Sequence, residues 1–307
     1  MGMARRNEEQ SIRTVDTALD HGVTMFNTGE FYNGGESEIV LGNALRQHPR
    51  DSYEVNVKFG ALPGGPGGLY GVDMNPFHVR ARLTYSLRRL GLDYVDVYEP
   101  ARMDDAYPVE EVIGAVNDLV KEGLVRHVAM TETSADELRR GNKVCPIRYF
   151  EKEYSLLSRQ METEDLPTCR ELGIPVIAYG LLGHGLLTDA FATAHHQSPL
   201  TLSFLYKPED IEPNRAIVCQ LKEIADGKGC TTSNLAIAWV LQKNPDMLAI
   251  IGTTHPDHLE DSLKALDIKL SDEEMRIIGE LFAPGRVRGG VLPKMHYSNG
   301  RFVGFMH

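Results

Sequence analysis

The stretch that decides the fold runs YVDVYEP at Tyr94–Pro100, VEEVIGAVNDLVK at Val109–Lys121 and VRHVAMT at Val125–Thr131. The outer two runs are short and rich in β-branched and aromatic residues, the mark of buried strands. The middle run repeats its apolar residues at helical spacing and carries charges between them. Strand, helix, strand in this order is a parallel βαβ unit.

The same alternation continues in both directions. Further strands are expected at Val23–Thr28, Tyr53–Lys58, Tyr149–Ser155, Pro175–Gly180 and Met247–Gly252. Helices are expected at Glu8–Asp20, Glu36–Arg46, Asn75–Leu90, Ser134–Gly141, Thr163–Leu172, Asn214–Lys228, Ser233–Gln242 and Ser271–Leu281. Ser271 with Glu274 three residues on is a capping-box pattern. Repeated βα units imply an α/β fold closed as a (β/α)8 TIM barrel, which needs eight strands. Seven are visible. The eighth would precede Glu8, where only Met1–Met3 remains for it, so a truncated or minimal first strand is expected. A doubly wound sheet is the weaker reading, because no G-x-G-x-x-G turn follows an early strand.

No linker divides the chain, so one barrel domain over residues 1–307 is expected. Ala61–Gly71, ALPGGPGGLYG, reads as a strand-to-helix loop at the catalytic face, and Ala192–Pro213 as a second loop there. The net charge of −11 and the absence of a Lys/Arg block argue against nucleic acid as a partner. The apolar runs are too short and too broken by charge to span a membrane. Cys145, Cys169, Cys219 and Cys230 show neither C-x-x-C nor zinc spacing, and no metal site is expected. A reduced, cytoplasmic protein is the simplest expectation. Trp239 lies on an apolar helical stripe and reads as core, whereas His195–His196 read as loop surface. The tail Gly285–His307 either folds over the barrel mouth or hangs as a surface tail.

Barrel catalysis sits at the C-terminal ends of the strands. Asn27, Lys58 and Glu99 stand there, with Tyr32 five residues after Asn27, and Glu151 on the strand Tyr149–Ser155. An unperturbed phenol titrates near ~10. An ammonium beside a phenol favours the phenolate, which suits a Tyr to donate a proton to a carbonyl oxygen. Taken singly, Tyr32 reads as a loop aromatic and Lys58 as a solvated strand end.

The segments GVTMFNTGEFY, ESEIVLGNAL, VKFG, SLRRLGLDYVDVY, LVKEGLVRHVAMTE, EYSLLSR, LPTCRELGIPVIAYGLLGHGLLT, LAIAWVLQ and IIGTTHPDHLEDSL, in this order, resemble the aldo-keto reductases over nearly the whole chain. The resemblance implies the (β/α)8 barrel and a carbonyl reductase that uses NADPH without a Rossmann motif, NADH being the second possible cofactor. Of the family's Asp, Tyr, Lys and His tetrad, the Tyr falls on Tyr32 and the Lys on Lys58. The Asp position is Asn27 and the His position is Ala101. Asn27, Glu99, Ala101 and Glu151 resemble the fungal and yeast pyridoxal reductase branch, which implies reduction of pyridoxal to pyridoxine, a vitamin B6 activity. Residues two apart on a strand share a face, so Glu99 and Ala101 are both expected at the barrel mouth. Glu99 either bonds the substrate in place of the missing His or pairs with Arg102 or Lys58.

For the cofactor, the resemblance implies contacts from Thr131 and Glu151 to the nicotinamide amide. It implies ring stacking by Tyr179 and pyrophosphate contacts from Leu182, Gly183 and His184. The adenosine end maps to Gly252–Ser262, with Thr253, Thr254, His255 and Asp261. The family's phosphate-holding cation is missing there, and Arg215 either supplies it or is an ordinary surface residue. Two further readings stay open: a reductase of another aldehyde or ketone in secondary metabolism, and a catalytically impaired member that binds or regulates.

Overall fold

The structure, a computed structural model, describes residues 8–63, 69–193, 206–289 and 294–306. Strands and helices alternate from the start. They are α1 (Glu8–Asp20), β1 (Met25–Gly29), α2 (Glu36–Leu45), β2 (Glu54–Phe59), β3 (Ala61–Pro63), β4 (Leu69–Val72), α3 (Pro76–Leu90), β5 (Val95–Pro100), α4 (Val109–Lys121), β6 (Val125–Thr131) and α5 (Ala135–Val144). There follow β7 (Ile147–Glu153), α6 (Asp165–Leu172), β8 (Val176–Tyr179), α7 (Asp189–Thr193), α8 (Pro208–Lys228), α9 (Thr232–Lys243), β9 (Leu248–Ala249), α10 (Pro256–Leu263), α11 (Asp272–Leu281), β10 (Lys294–Ser298) and β11 (Arg301–Met306).

Seven strands pair in parallel in the order β1-β2-β5-β6-β7-β8-β9. All seven expected strands are among them. Val97, Ala129, Tyr149 and Ile177 project into one inner cluster, and Met25 and Ile250 pack on it from the two opposite edges of the sheet. The sheet therefore curls until both edges reach one interior, as a barrel requires. Outside it, α1 packs on α10, and the Gln10 amide donates to the Thr254 carbonyl at 2.8 Å. Residues 1–7, where the first strand was expected, lie outside the described residues, so the described sheet is a seven-stranded half-barrel.

Local chemistry sets the helix boundaries. Asn75 accepts the Phe77 amide at 3.0 Å ahead of Pro76, and α3 ends on Gly91 with φ +69°; Asn as N-cap, Pro at the first position and Gly past the end are the preferred residues. Ser134–Glu137 and Ser271–Glu274 form the capping boxes of α5 and α11. Trp239 is 1% exposed, as its apolar stripe predicted, and its indole N–H donates to the Met275 carbonyl at 3.2 Å.

The structure corrects or decides the expectations at four points. Ala61–Gly71 is not a plain loop: β3 and β4 pair as an antiparallel hairpin. The tail does not hang free. β10 and β11 form a second hairpin that adds to the first in the order β10-β11-β4-β3. This contact demands a glycine, since a Cβ at Gly71 would lie 2.0 Å from the Gly300 carbonyl oxygen. Tyr297 is 1% exposed, and the Asp105 amide donates to its carbonyl at 3.1 Å, so the hairpin packs over the loop after β5. Third, α8 starts at Pro208 and runs through Pro213, six residues earlier than expected. An interior Pro removes one helical hydrogen bond, which a 21-residue helix absorbs. Of the stretch Ala192–Pro213, residues 194–205, His195 and His196 among them, lie outside the described residues. Fourth, α7 and α10 were not foreseen. Both are short, and His255, ahead of Pro256, is not among the usual N-cap residues.

Candidate active site

Alternate residues of each strand face the interior. The inner cluster of Met25, Val97, Ala129 and Tyr149 is apolar. Two residues further along the same strands stand Asn27, Glu99, Thr131 and Glu151, and β2 adds Lys58. The register aligns them: Gly29 lies opposite Lys58, Lys58 opposite Glu99, and Thr131 opposite Glu151. A polar layer thus sits on an apolar floor at the C-terminal end of the barrel.

Lys58 is the centre of that layer and is only 5% exposed. Its ammonium donates to Asn27 Oδ1, and to Glu151 Oε1 at 3.0 Å and Oε2 at 3.3 Å. Asn27 Nδ2 in turn donates to Glu151 Oε2 at 2.6 Å. The Lys58 nitrogen lies 5.6 Å from the centre of the Tyr32 ring. Burial works against the ammonium, but the charge of Glu151, with Tyr32 and Glu99 adding to it, outweighs burial and holds Lys58 above its ordinary value. Tyr32 opens a short 3-10 turn, half-buried, with its ring edge-on to Phe31 at 4.7 Å.

Glu99 stands in this layer opposite Lys58 and, like Lys58, Thr131 and Glu151, is buried. Its Oε1 accepts from Asn56 Nδ2 at 2.9 Å, and among the described residues no ion pair joins it to Arg102 or Lys58. Burial, then the charge of Glu151, pushes its carboxyl well above the usual range. Glu151, expected at the nicotinamide amide, is 3% exposed and turned to Lys58 and Asn27. Thr131 is buried and donates to the Glu151 carbonyl at 3.0 Å.

A second group borders the first. The Tyr179 hydroxyl donates to Glu132 Oε1 at 2.8 Å, and the Glu153 amide donates to the same oxygen at 2.8 Å. Burial tends to raise the Glu132 carboxyl, but Lys152 and Arg102 beside it bring it below its ordinary value. These bonds hold Glu132 at φ +53°, an unusual conformation for a residue with a side chain. Burial, then Glu132, raises the Tyr179 phenol well above its ordinary value. His184, also left-handed at φ +56°, contacts Glu153 Oε1 at 2.9 Å. Leu182 and Gly183 lie in the same turn, where a Cβ on Gly183 would come within 2.4 Å of Leu157.

At the far end, the Thr253 hydroxyl accepts the His255 amide at 3.0 Å. Thr254 bonds α1 through its carbonyl, Asp261 pairs with Lys264 at 3.1 Å, and the His255 and His258 rings lie 4.9 Å apart. No side chain caps α10. Arg215 is 7% exposed, paired with Glu212 at 3.2 Å, stacked 4.6 Å from the centre of the Phe191 ring and bonded to the Phe191 carbonyl, so it is not an ordinary surface residue. Asn56 and Glu132 were missed from sequence. Asn56 had a signal, a polar residue two before Lys58 on a strand of valines, whereas Glu132 had none beyond its place after a strand.

The model of the Aldo/keto reductase family matches residues 1–283. The chain belongs to this family. A probable aldo-keto reductase 1 from Glycine max is 33% identical over 295 residues, 95% of this chain and 84% of that protein. An aldo/keto reductase from Klebsiella pneumoniae, solved in complex with NADP and acetate, superposes with a TM-score of 0.73 at 27% identity, covering 94% of this chain and 91% of that one. A glycerol dehydrogenase from Gluconobacter oxydans shares the fold, with a TM-score of 0.81 at 24% identity over 92% of this chain and 87% of its own.

The residues of this aldo/keto reductase fit a nicotinamide dinucleotide in three respects. Cβ atoms added at Gly185 or Gly252 would meet nothing within 4 Å, so the backbone is open at both loops. Glu153 Oε2, beside the Tyr179 group, is a buried acceptor with no hydrogen-bond partner among the described residues. The uncapped start of α10 presents backbone N–H groups of the kind that bind phosphate. What differs is charge: Gly252–Ser262 holds no Lys or Arg. Among the described residues no group of His, Cys, Asp and Glu is arranged to hold a metal, and no helix is long and apolar enough to cross a membrane.

Proposed function

We propose that this aldo/keto reductase is an NADPH-dependent carbonyl reductase whose substrate is pyridoxal or a similar small aldehyde. The observation that carries the reading is the Lys58 ammonium, held by Asn27 and Glu151 and set 5.6 Å from the Tyr32 ring centre. Lys58 is almost wholly buried and Tyr32 is not, so only Tyr32 of the pair can meet a substrate. Its hydroxyl donates a hydrogen bond to the carbonyl oxygen and passes its proton there as that oxygen gains negative charge. The buried ammonium then stabilises the phenolate left behind. NADPH, bound by Tyr179, Leu182–His184, Thr253–His255 and Asp261, would supply the hydride for the carbonyl carbon.

The pyridoxal reading rests on the resemblance of Asn27, Glu99, Ala101 and Glu151 to that branch, and on one chemical argument. The Ala101 methyl can offer no second hydrogen bond to the carbonyl oxygen. Pyridoxal carries a hydroxyl on the ring carbon next to its aldehyde and brings that donor itself. Purified protein with NADPH and an aldehyde panel tests the reading. We expect pyridoxal, and aromatic aldehydes with a neighbouring hydroxyl, to be reduced faster than the same aldehydes without it. Tyr32→Phe should lower kcat by at least ~100-fold, the scale of general-acid catalysis. No turnover on any aldehyde, despite cofactor binding, would favour the binding or regulatory reading, to which the cation-free stretch Gly252–Ser262 lends support.

A further inference from the structure

Lys58, Asn27 and Glu151 form a closed triangle of hydrogen bonds from three strands. Lys58 donates to Asn27 Oδ1 and to both oxygens of Glu151, and Asn27 Nδ2 donates to Glu151 Oε2. A buried ammonium requires a partner of opposite charge. Two carboxyls come near it. Glu99 is occupied by Asn56 and makes no direct bond to the ammonium. The contacting negative charge is therefore that of Glu151, whose side chain is 4% exposed. Asn27 contributes orientation without charge.

We propose that Glu151 is a positioning residue, the counter-ion that holds the Lys58 ammonium beneath Tyr32, and that positions 27 and 151 can exchange carboxylate and amide without loss of this role. The exchange follows from hydrogen-bond inventory. With an aspartate at position 27 and a glutamine at position 151, Lys58 would still donate to an oxygen on each. The new amide would donate to the new carboxylate, the reverse of the present bond from Asn27 to Glu151. Asp is isosteric with Asn, and Gln with Glu, so the triangle keeps its shape and only the charge moves from β7 to β1. A carboxylate at both positions crowds like charges beside Glu99; a carboxylate at neither leaves the ammonium with amides alone. The proposal rests on the carbonyl reductase reading only for its kinetic consequence. It also moves Glu151 from the cofactor to Lys58.

The test is a double-mutant cycle of Glu151→Gln, Asn27→Asp and Asn27→Asp/Glu151→Gln, read by thermal melting, by NADPH titration and by kcat and KM. Glu151→Gln should lose more than ~5 °C in Tm, the effect of stripping a buried charge of its partner. Its kcat should fall at least ~10-fold with the Kd for NADPH changed by less than ~3-fold. Asn27→Asp should also lose Tm. The double variant should recover Tm to within ~2 °C of the parent and kcat to within ~5-fold, a coupling that independent sites do not show. Two results would overturn the proposal: a weakened NADPH affinity with unchanged kcat in Glu151→Gln, or a double variant no more stable than the worse single one. Should the parent reduce no carbonyl, the functional reading fails by itself, and the Tm cycle still decides the exchange.

Discussion

Glu99 is the residue whose burial has the clearest solution consequence. Its carboxyl is held well above the usual range, by burial first and by Glu151 second. The folded chain keeps a proton there that the unfolded chain releases above its ordinary value of 4.5. Between those two values the native state binds more protons than the unfolded one, so this group makes stability fall as pH rises. Glu99→Gln removes the titrating carboxyl and preserves the acceptor for Asn56. Melting curves from pH 4.5 to 8 should show the variant level with the parent at the acid end and a few degrees more stable at the alkaline end. A gap that stays constant or reverses with pH would mean that Glu99 is ionised in the fold. The strand-end positions of Asn27, Lys58, Glu99 and Glu151 were legible in sequence because parity along a strand fixes the face of each. Partners were not legible. Parity gives the face of a residue and not what it bonds, so it left Glu99 open between substrate and a salt bridge and did not reveal the bonds of Glu151 to Lys58 and Asn27.

Among the elements, α10 begins the stretch proposed to hold the adenosine end of the cofactor. It starts at Pro256 without a side-chain cap, with His255 ahead of it and Asp257 and His258 in its first turn. Charge-assisted hydrogen bonds are worth about 1.5–3 kcal/mol each. His255→Arg should therefore tighten NADPH binding by about ten- to hundredfold and leave NADH nearly unchanged. Fluorescence titration with both cofactors reads this directly. Equal gains for the two would place residue 255 away from the phosphate that distinguishes them. The long helices and the strands between them were legible because three or more turns of periodicity outweigh local noise. The hairpins β3–β4 and β10–β11 were not, since each lies among glycines and prolines that read as loop. Their pairing depends on contacts between residues as remote as Gly71 and Arg301.

For the molecule as a whole, curling brings the two edges of the seven-stranded sheet to one inner cluster, and α1 against α10 joins the outer layer there. The barrel floor is apolar and its rim polar, and the Lys58 group lies at that rim, the end at which barrels of this class hold their catalytic residues. The opposite end has a structural charge group of its own: Asp96 pairs with Arg50 at 2.6 Å and Arg126 at 3.1 Å and accepts the Val55 amide at 2.8 Å. The barrel class was readable from one βαβ unit and its repeats. How far the sheet closes was not, because closure depends on how the edge strands meet, which the repeat does not encode. The account as a whole stands on hydride delivery to a carbonyl above Lys58 and Tyr32. The most direct test is a single-turnover reaction of the parent protein with pyridoxal and NADPH deuterated at the transferable position, with the product weighed by mass spectrometry. The account predicts pyridoxine carrying one deuterium, and none from Tyr32→Phe in the same time. Unlabelled pyridoxine, or no pyridoxine while both ligands are bound, would contradict it.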